Sequence, residues 1–519
     1  MLTKSDLQSM LQCPRKLWLE RHKPELLPGP DSGLSRRAMD GVIVGNKARE
    51  LLGADFLWPS SSDGEKDAAA RNALRQLAET PGRSAAEVPL VFSNVYARAD
   101  ALVARGPSYV LRETKASTFH LKNDGVTPEP PKANHLDDVA IQHWVIEGAG
   151  LSIADVELNL LDREWRYPGG GDYKGLFRQL VVTPESQVRK AKVQEWVAQA
   201  RAVVNGPMPT VLTGKQCNAP HACAFQGYCE KLDPPGPEDP LDLLPGSGGK
   251  ALARKLAQTK GYKSLLDPTP EELVGKDAAL YRRVQAAHRT RQQVLESGAS
   301  TEIAMLGYPR YYFDFEGIDF PVPQWPGFRP YEVAPFQWSC HIESSAGQFT
   351  HSEFLDLTGN DPSLSCIEEM RQTINPYDVG SIIVYNATYE RGRLNELAER
   401  HPEHADLMEK YASRLVDLLP IVRNHFYHPS MKGSFSIKRV LPMVAPDLDY
   451  GQLDEVQEGT AAQVAYLRAT MDPRVTPERK KELENRLRDY CRQDTWAMVE
   501  VAHFLAGAQR PVRPDRPNR

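Results

Sequence analysis

Cysteine is scarce in this chain: seven in 519 residues. So few, and an odd number, argue against a disulfide framework and for a reducing, cytoplasmic setting. Long apolar runs are missing as well. No stretch approaches the ~20 apolar residues that cross a bilayer, so neither a membrane span nor a membrane partner is expected. The first residues include Lys4, Asp6, Arg15 and Lys16 with no uninterrupted apolar run, and no signal peptide is expected. A strong charge of either sign is also lacking: 63 Lys and Arg against 68 Asp and Glu give a formal net charge of -5. Any nucleic acid would then be held by local grooves and metals, not by a general positive field. The remaining composition, 41% hydrophobic and 25% charged, is ordinary for a soluble globular protein. The length suggests roughly two to four domains, with room for at least two sizeable cores.

The most informative stretch is Tyr311-Tyr312-Phe313-Asp314-Phe315-Glu316. It reads as an aromatic β-strand ended by Gly317. Side chains alternate along a strand, so Tyr311, Phe313 and Phe315 take one face and Tyr312, Asp314 and Glu316 the other. The two carboxylates then stand about 7 Å apart on one face of an apolar strand. Such a pair repels and resists desolvation unless something compensates it. Two divalent cations, the machinery of phosphodiester cleavage, would do so. The alternative is an edge strand with a solvated acidic face.

In the first half, Ser5 is expected to start a helix with Gln8 as its capping-box partner and Cys13 inside it. A second helix is expected over 41–52. Val95 to Val103 and Tyr109 to Lys115 read as strands joined by the turn Arg105-Gly106-Pro107-Ser108. Leu111, Glu113 and Lys115 share a face, and Asp100 on the preceding strand can come alongside. An Asp beside a Glu-x-Lys is the minimum kit for metal-dependent phosphodiester hydrolysis: the acids hold the cation and the Lys orients the attacking water. The competing reading is an exposed ion pair. Leu136 to Gly148 reads as a helix with Asp138 and Gln142 one turn apart, Gln142 within reach of the strands. Val156 to Leu161 reads as a strand, and Gln187 to Val204 as a long amphipathic helix. Then come Cys217, Cys223 and Cys229 at five-residue gaps, with Pro and Gly between them, a ligand loop in character. The fourth ligand stays open: local His221 would make a zinc site, remote Cys13 an iron–sulfur cluster.

Cys13, Asp100, Glu113-Thr-Lys115, Gln142 and the Cys217/Cys223/Cys229 trio together resemble the RecB-like PD-(D/E)XK nucleases that carry a four-cysteine 4Fe-4S cluster, a layout shared by the CRISPR-associated RecB-like exonucleases. The resemblance covers about residues 1–232. It implies Asp100 and Glu113 as metal ligands, Lys115 as the catalytic lysine with Gln142 beside it, and the four cysteines as cluster ligands. Asn46 stands where such nucleases often carry a His, and Ile146 where a Tyr often follows the Gln.

Pro234-Pro235-Gly236-Pro237 with Pro240 marks a boundary. Residues 249–297 read as short helices. Thr259-Lys260-Gly261-Tyr262 resembles a helix-hairpin-helix turn whose N–H groups cradle a phosphate, the alternative being a helical spacer with solvated charges. Beyond the opening strand, Tyr331 to Ile342 and Gln348 to Phe354 read as antiparallel partners, and Ser381 to Tyr385 as a buried strand. Asn386 precedes a helix running through Glu399, with Glu390, Leu394 and Leu397 on one stripe. The last long helix, Glu478 to Ala506, has Leu483, Leu487, Tyr490, Asp494, Ala497, Val501 and Phe504 on its apolar seam. An unpaired Asp494 there would be costly.

Asp314-Phe-Glu316, Asn386-Ala-Thr-Tyr-Glu390 and Tyr490-Cys-Arg-Gln-Asp494 resemble the three motifs of the DEDD superfamily of RNase H-like 3′–5′ exonucleases, over about residues 305–507. The resemblance implies four carboxylates holding two Mg²⁺ or Mn²⁺ ions about 4 Å apart, with Tyr490 positioning the attacking water. Glu390 is one methylene longer than the Asp usual there. Phe435-Ser-Ile-Lys-Arg-Val-Leu-Pro442 and the Tyr490–Asp494 stretch also resemble signatures of a bacterial family that fuses the two nuclease-like domains.

The expectation is therefore an α/β (α+β) multidomain chain. A restriction-endonuclease-like domain (1–232) is joined by a Pro-rich helical linker (233–304) to an RNase H-like domain (305–507), with a disordered tail (508–519). The expected function is a metal-dependent nuclease acting 3′ to 5′ on single-stranded ends, with DNA favoured over RNA as partner. The rival is a nucleic-acid-binding or scaffold protein whose acidic clusters no longer bind metal.

Overall fold

A computed structural model of the chain describes residues 1–27, 36–54, 56–57, 65–448 and 459–514. The fold is mixed α/β and divides into two units: Met1–Pro234 with Asp319–Glu332, and Pro235–Ile318 with Val333–Arg519.

The first unit is built on a seven-stranded sheet. Its strands are β1 (Leu2–Thr3), β2 (Phe56–Leu57), β3 (Ala85–Phe92), β4 (Val95–Arg105), β5 (Ser108–Phe119), β6 (Ile153–Asp162) and β7 (Phe177–Val181). They lie in the order β2-β3-β4-β5-β6-β7, with β1 paired to β4. Hairpins make β3–β4 and β4–β5 antiparallel, whereas β5 and β6 run parallel. Parallel neighbours need a crossover, and the helix Ala133–Gly148 supplies it. Val139, Ile141 and Val145 on that helix are fully buried with Leu111, Val156 and Leu158 of the sheet. This crossover carries Asp138 and Gln142 over the strands that carry Asp100, Glu113 and Lys115.

Two expectations for the N-terminal helix are corrected. The helix is Lys4–Gln12, and its cap is Thr3, not Ser5: the Thr3 hydroxyl accepts from Asp6 N, and the Asp6 carboxylate accepts from Thr3 N at 2.6 Å. Asp6, not Gln8, completes the box. Cys13 is not inside a helix. A residue before proline avoids the helical region, and Cys13, at φ -164 and ψ 120, breaks the rod before a second helix, Pro14–His22. Residues 319–332, expected to belong with the second half, join the first unit, where Val322 packs with Val44, Leu161 and Leu176 and the Tyr331 hydroxyl donates to Ala116 O at 2.7 Å.

The second unit contains a two-stranded pair, β8 (Val294–Leu295) with β14 (Phe426–Tyr427), and a five-stranded sheet. The sheet comprises β9 (Arg310–Asp319), β10 (Val333–Ser345), β11 (Gln348–Leu355), β12 (Ile382–Val384) and β13 (Leu415–Asp417), in the order β11-β10-β9-β12-β13. β9, β12 and β13 run parallel, and β10 and β11 are antiparallel as expected. The alternation read from the sequence is seen in the packing: Tyr311, Phe313 and Phe315 join one core with Trp338 and Leu394, while Tyr312 joins the opposite core with Val499 and Ala502. Gly317 does not end β9, which continues to Asp319.

The segment expected to be a linker is core. Leu241, Leu243, Leu256, Leu280 and Val284 are buried with Phe426, Tyr427 and Trp496. The turn at Gly261, left-handed at φ 72, closes the helix Gly246–Lys260, but the next helix is Ala278–Thr290. The helix-hairpin-helix is thereby corrected, because the second helix does not follow the turn directly but begins only at Ala278. Of the expected tail, Arg510 is bonded to Glu500 at 3.1 Å and Arg513 to Gln493 at 3.0 Å, whereas 515–519 lie outside the described residues.

Candidate metal centres

In the second unit, β9 and two helices bring the predicted acids together. The period of two places Asp314 and Glu316 on the face opposite the Phe313 core. The helix Pro477–Ala506 presents Asp494 to them, with Tyr490 one turn earlier. Asp314, Glu316 and Asp494 each offer a carboxylate oxygen within 4.8 Å of the others. Glu390 lies outside that trio, yet it is buried at 2% exposure and contributes to the electrostatics of both Asp314 and Glu316. Its Oε2 is buried and has no hydrogen-bond partner among the described residues.

The local fold fixes Glu390. Asn386 adopts a left-handed backbone, φ 80 and ψ 67, where Asn is tolerated. The Asp417 carboxylate at the end of β13 accepts from Asn386 N at 2.9 Å and Ala387 N at 3.0 Å, capping the helix Ala387–Arg400. That helix comes close to β9 because residue 317 is Gly: a Cβ there would meet the Tyr389 hydroxyl at 2.8 Å and Val333 Cγ1 at 2.4 Å.

Burial first, then Asp494, Glu316 and Glu390, push the Asp314 carboxyl well above the usual range. Burial and then Asp494 lift Glu316 to about 8, against the pull of Lys438. Glu390 is raised to about 8, by burial first and with Asp417 adding. An all-carboxylate set with a raised proton affinity and an orphaned buried oxygen fits hard divalent cations such as Mg²⁺ or Mn²⁺. One residue here was not read as a site residue from the sequence. Lys438 Nζ donates to the Tyr490 hydroxyl at 3.2 Å and lies 5.0 Å from its ring centroid. Its only signal was its place in the Phe435–Pro442 stretch.

In the first unit the predicted residues also converge. The register that pairs Ala101 with Arg112 sets Asp100 beside Glu113. Lys115 Nζ bonds Glu113 Oε1 at 2.7 Å and also Asp138. The Gln142 amide donates to Glu113 Oε2 at 2.8 Å and Asp138 Oδ1 at 2.9 Å. Sequence reasoning placed Asp138 near the site without a role and missed Lys4, whose Nζ is 2.8 Å from Asp138 Oδ1 and 3.2 Å from Glu113 Oε1. Burial, then Glu113, lifts Asp100 to about 7. Burial also opposes the charged form of Asp138, but Lys115 and then Lys4 outweigh it and hold that carboxyl well below the usual range.

Asp100 and Glu113 line a cavity of about 1050 Å³ that Asn46, Arg49, Arg98 and Lys66 also face. Asn46, at the position expected for a His, accepts from Arg49. Buried Glu87, in the left-handed region at φ 57, pairs with both Arg49 and Arg98.

Cys13, Cys217, Cys223 and Cys229 line one small cavity, of which His221 is not a lining residue. Gln12 ties the helix end to this loop, donating to Gln216 O at 2.8 Å and His221 O at 2.7 Å. Among the described residues, no three of these sulfurs lie mutually within 4.8 Å.

Residues 311–436 match a family model described as a domain of unknown function, DUF2779. That stretch holds Asp314, Glu316 and Glu390. The chain is 24% identical over 240 residues to the uncharacterized protein UU173 of Ureaplasma parvum serovar 3, covering 42% of this chain and 34% of the relative. It is 23% identical over 213 residues to the uncharacterized MG366 homolog of Mycoplasma pneumoniae, covering 38% and 32%. The match thus spans about a third of the length of these curated relatives. A solved structure, SSO0001, is 15% identical, with 44% of this chain and 85% of that one covered at a TM-score of 0.24. No helix among the described residues is long and apolar enough to cross a membrane. What the comparisons establish is a DUF2779-like segment over residues 311–436 and a partial likeness to two uncharacterized proteins, one of Ureaplasma parvum and one of Mycoplasma pneumoniae.

Proposed function

We propose that the chain is a metal-dependent nuclease whose second unit, read as an RNase H-like domain of the DEDD type, hydrolyses single-stranded nucleic-acid ends 3′ to 5′, DNA in preference to RNA. The observation that carries this reading is the approach of Asp314, Glu316 and Asp494 oxygens to within 4.8 Å of one another. Its position adds support: Glu390 follows the carboxyl end of β12, parallel to β9, where open α/β sheets bind ligands. Asp314, Glu316, Glu390 and Asp494 would hold two divalent ions, which when bound supply an activated water and stabilise the leaving oxygen. Tyr490 orients the attacking water through its hydroxyl, and Lys438 fixes that hydroxyl. Burial of Glu316, Glu390 and Asp494 lowers the local dielectric and strengthens each charge contact made there.

The first unit is read as a RecB-like PD-(D/E)XK domain. Asp100 and Glu113 hold a cation, Lys115 and Gln142 orient the nucleophile, and the four cysteines hold a 4Fe-4S cluster. Their shared cavity supports one common ligand.

Asp314→Ala/Asp494→Ala should abolish Mn²⁺-dependent shortening of a labelled single strand from its 3′ end. Wild-type rates in that double variant would overturn the assignment. A scaffold reading is favoured, for the first unit, by the pairing of its acids with Lys4 and Lys115. Activity that survives the double variant and disappears with Lys115→Ala would exclude it.

A further inference from the structure

Three carboxylates and two ammoniums share the first-unit site, and the second ammonium comes from a residue that no motif assigns. Lys4 Nζ sits 2.8 Å from Asp138 Oδ1 and 3.2 Å from Glu113 Oε1. Lys115 holds Glu113 Oε1 at 2.7 Å and the other Asp138 oxygen. The Glu113 and Asp138 side chains are 3% and 4% exposed. With the Gln142 amide between them, these two acids are bracketed on both sides. Asp100 is placed differently. Its Oδ2 accepts from Thr114 N at 2.9 Å, and neither lysine bonds it.

Lys4 is not a loose terminal side chain. β1 pairs Leu2 with Val95 and Thr3 with Tyr96, and the Thr3–Asp6 capping box fixes the first turn of its helix. Arg21 in turn bonds Asp6. Its ammonium is delivered to the acids by a pre-set backbone, so little further ordering is needed to hold it there.

Charge decides what else the site accepts. Asp100, Glu113 and Asp138 against Lys4 and Lys115 leave one net negative charge. One divalent cation brings that to one positive charge, and two would leave three positive charges in a buried place, a costly surplus. In the second unit, four carboxylates near Lys438 leave three net negative charges, and two divalent cations again end at one positive.

We infer that Lys4 takes the place of a second divalent cation in the first-unit site, which therefore binds a single ion at Asp100 and Glu113. This rests on the reading of that site as a metal centre.

The test uses the full chain carrying Asp314→Ala/Asp494→Ala, titrated with Mn²⁺ alone by calorimetry and by the electron paramagnetic resonance of free Mn²⁺. One ion per chain is expected, lost on Asp100→Asn. Adding Lys4→Met should raise the count to two, and Lys4→Arg should keep it at one. Lys4→Gln retains a donor for the two carboxylates and removes only the charge, so it is read the same way if Lys4→Met melts early. One ion in both Lys4→Met and Lys4→Gln overturns the inference and leaves the metal-centre reading intact. No Mn²⁺ binding with or without Lys4 overturns both.

Discussion

Lys438 and Tyr490, 52 residues apart, meet in a hydrogen bond of 3.2 Å from the ammonium to the phenol oxygen, and the ammonium also lies 5.0 Å from the ring centroid. The contact fixes the Tyr490 hydroxyl, which in the proposed mechanism orients the attacking water. A nucleophile displaced by about 1 Å can cost ~10²-fold in rate. Lys438→Ala should therefore lower kcat by roughly tenfold to a hundredfold with KM little changed, and Tyr490→Phe should add little on top of it. Independent, multiplying losses in the double variant would show that the two residues do not act as a unit.

Glu316 and Glu390 give the metal-free protein a pH-dependent stability. Both carboxyls are raised to about 8, by burial first. The folded chain then binds more protons than the unfolded chain between about 4.5 and about 8, and stability falls as pH rises through that window. In EDTA, the melting temperature should be higher at pH 5.5 than at pH 8.5. Glu316→Gln should flatten part of that slope, and Mn²⁺ should raise the melting temperature most at pH 8.5. A slope that Glu316→Gln leaves unchanged would detach the effect from this cluster.

Asp417 is a cap with a functional load. It accepts from Asn386 N, Ala387 N and Leu419 N, each at 2.9 to 3.0 Å, and so fixes the start of the helix that carries Glu390. Asp417→Ala should cost about 1 kcal/mol of stability and weaken Mn²⁺ binding at the second unit. Asp417→Asn should recover most of the affinity.

The cysteine cavity predicts a colour. On the proposed cluster reading, anaerobically purified protein should be brown, and Cys13→Ser should bleach it with loss of iron by metal analysis and of melting temperature. His221→Ala should do neither. A colourless protein holding stoichiometric zinc would replace the cluster.

Much of the second-unit site was legible because its signals are local. Period two put Asp314 and Glu316 on one face, and period 3.6 put Tyr490 and Asp494 on one seam. What stayed hidden is what depends on long-range contact. Lys4 meets Glu113 across 109 residues, and nothing around Lys4 marks it as more than a solvated charge. Gly317 reads as a strand end because Gly disfavours strands, but here the close approach of Tyr389 and Val333 selects it. The segment after Pro234 looked like a linker because its prolines and lysines mask the scattered leucines, Leu241 and Leu256 among them, that reach the core. Residues 319–332 hold four prolines and a glycine, which mark an irregular segment but do not show that it packs with the first unit.

Arg98 tests whether the first-unit cavity holds a nucleic-acid backbone. Buried Glu87 is held in the left-handed region at φ 57, and its carboxylate anchors Arg49 and Arg98 at the wall of a cavity of about 1050 Å³. A guanidinium so fixed loses little entropy on meeting a phosphate and suits bidentate contact. Arg98→Ala should weaken binding of a single-stranded oligonucleotide, measured by fluorescence anisotropy in Ca²⁺ to suppress cleavage. The slope of log affinity against log salt should shrink by ~0.7 for the lost phosphate contact. The loss should be the same for oligonucleotides of different sequence, because a phosphate contact carries no base information. A loss confined to one sequence, or an unchanged salt slope, would mean that the arginine pair serves the fold through Glu87 and not the strand.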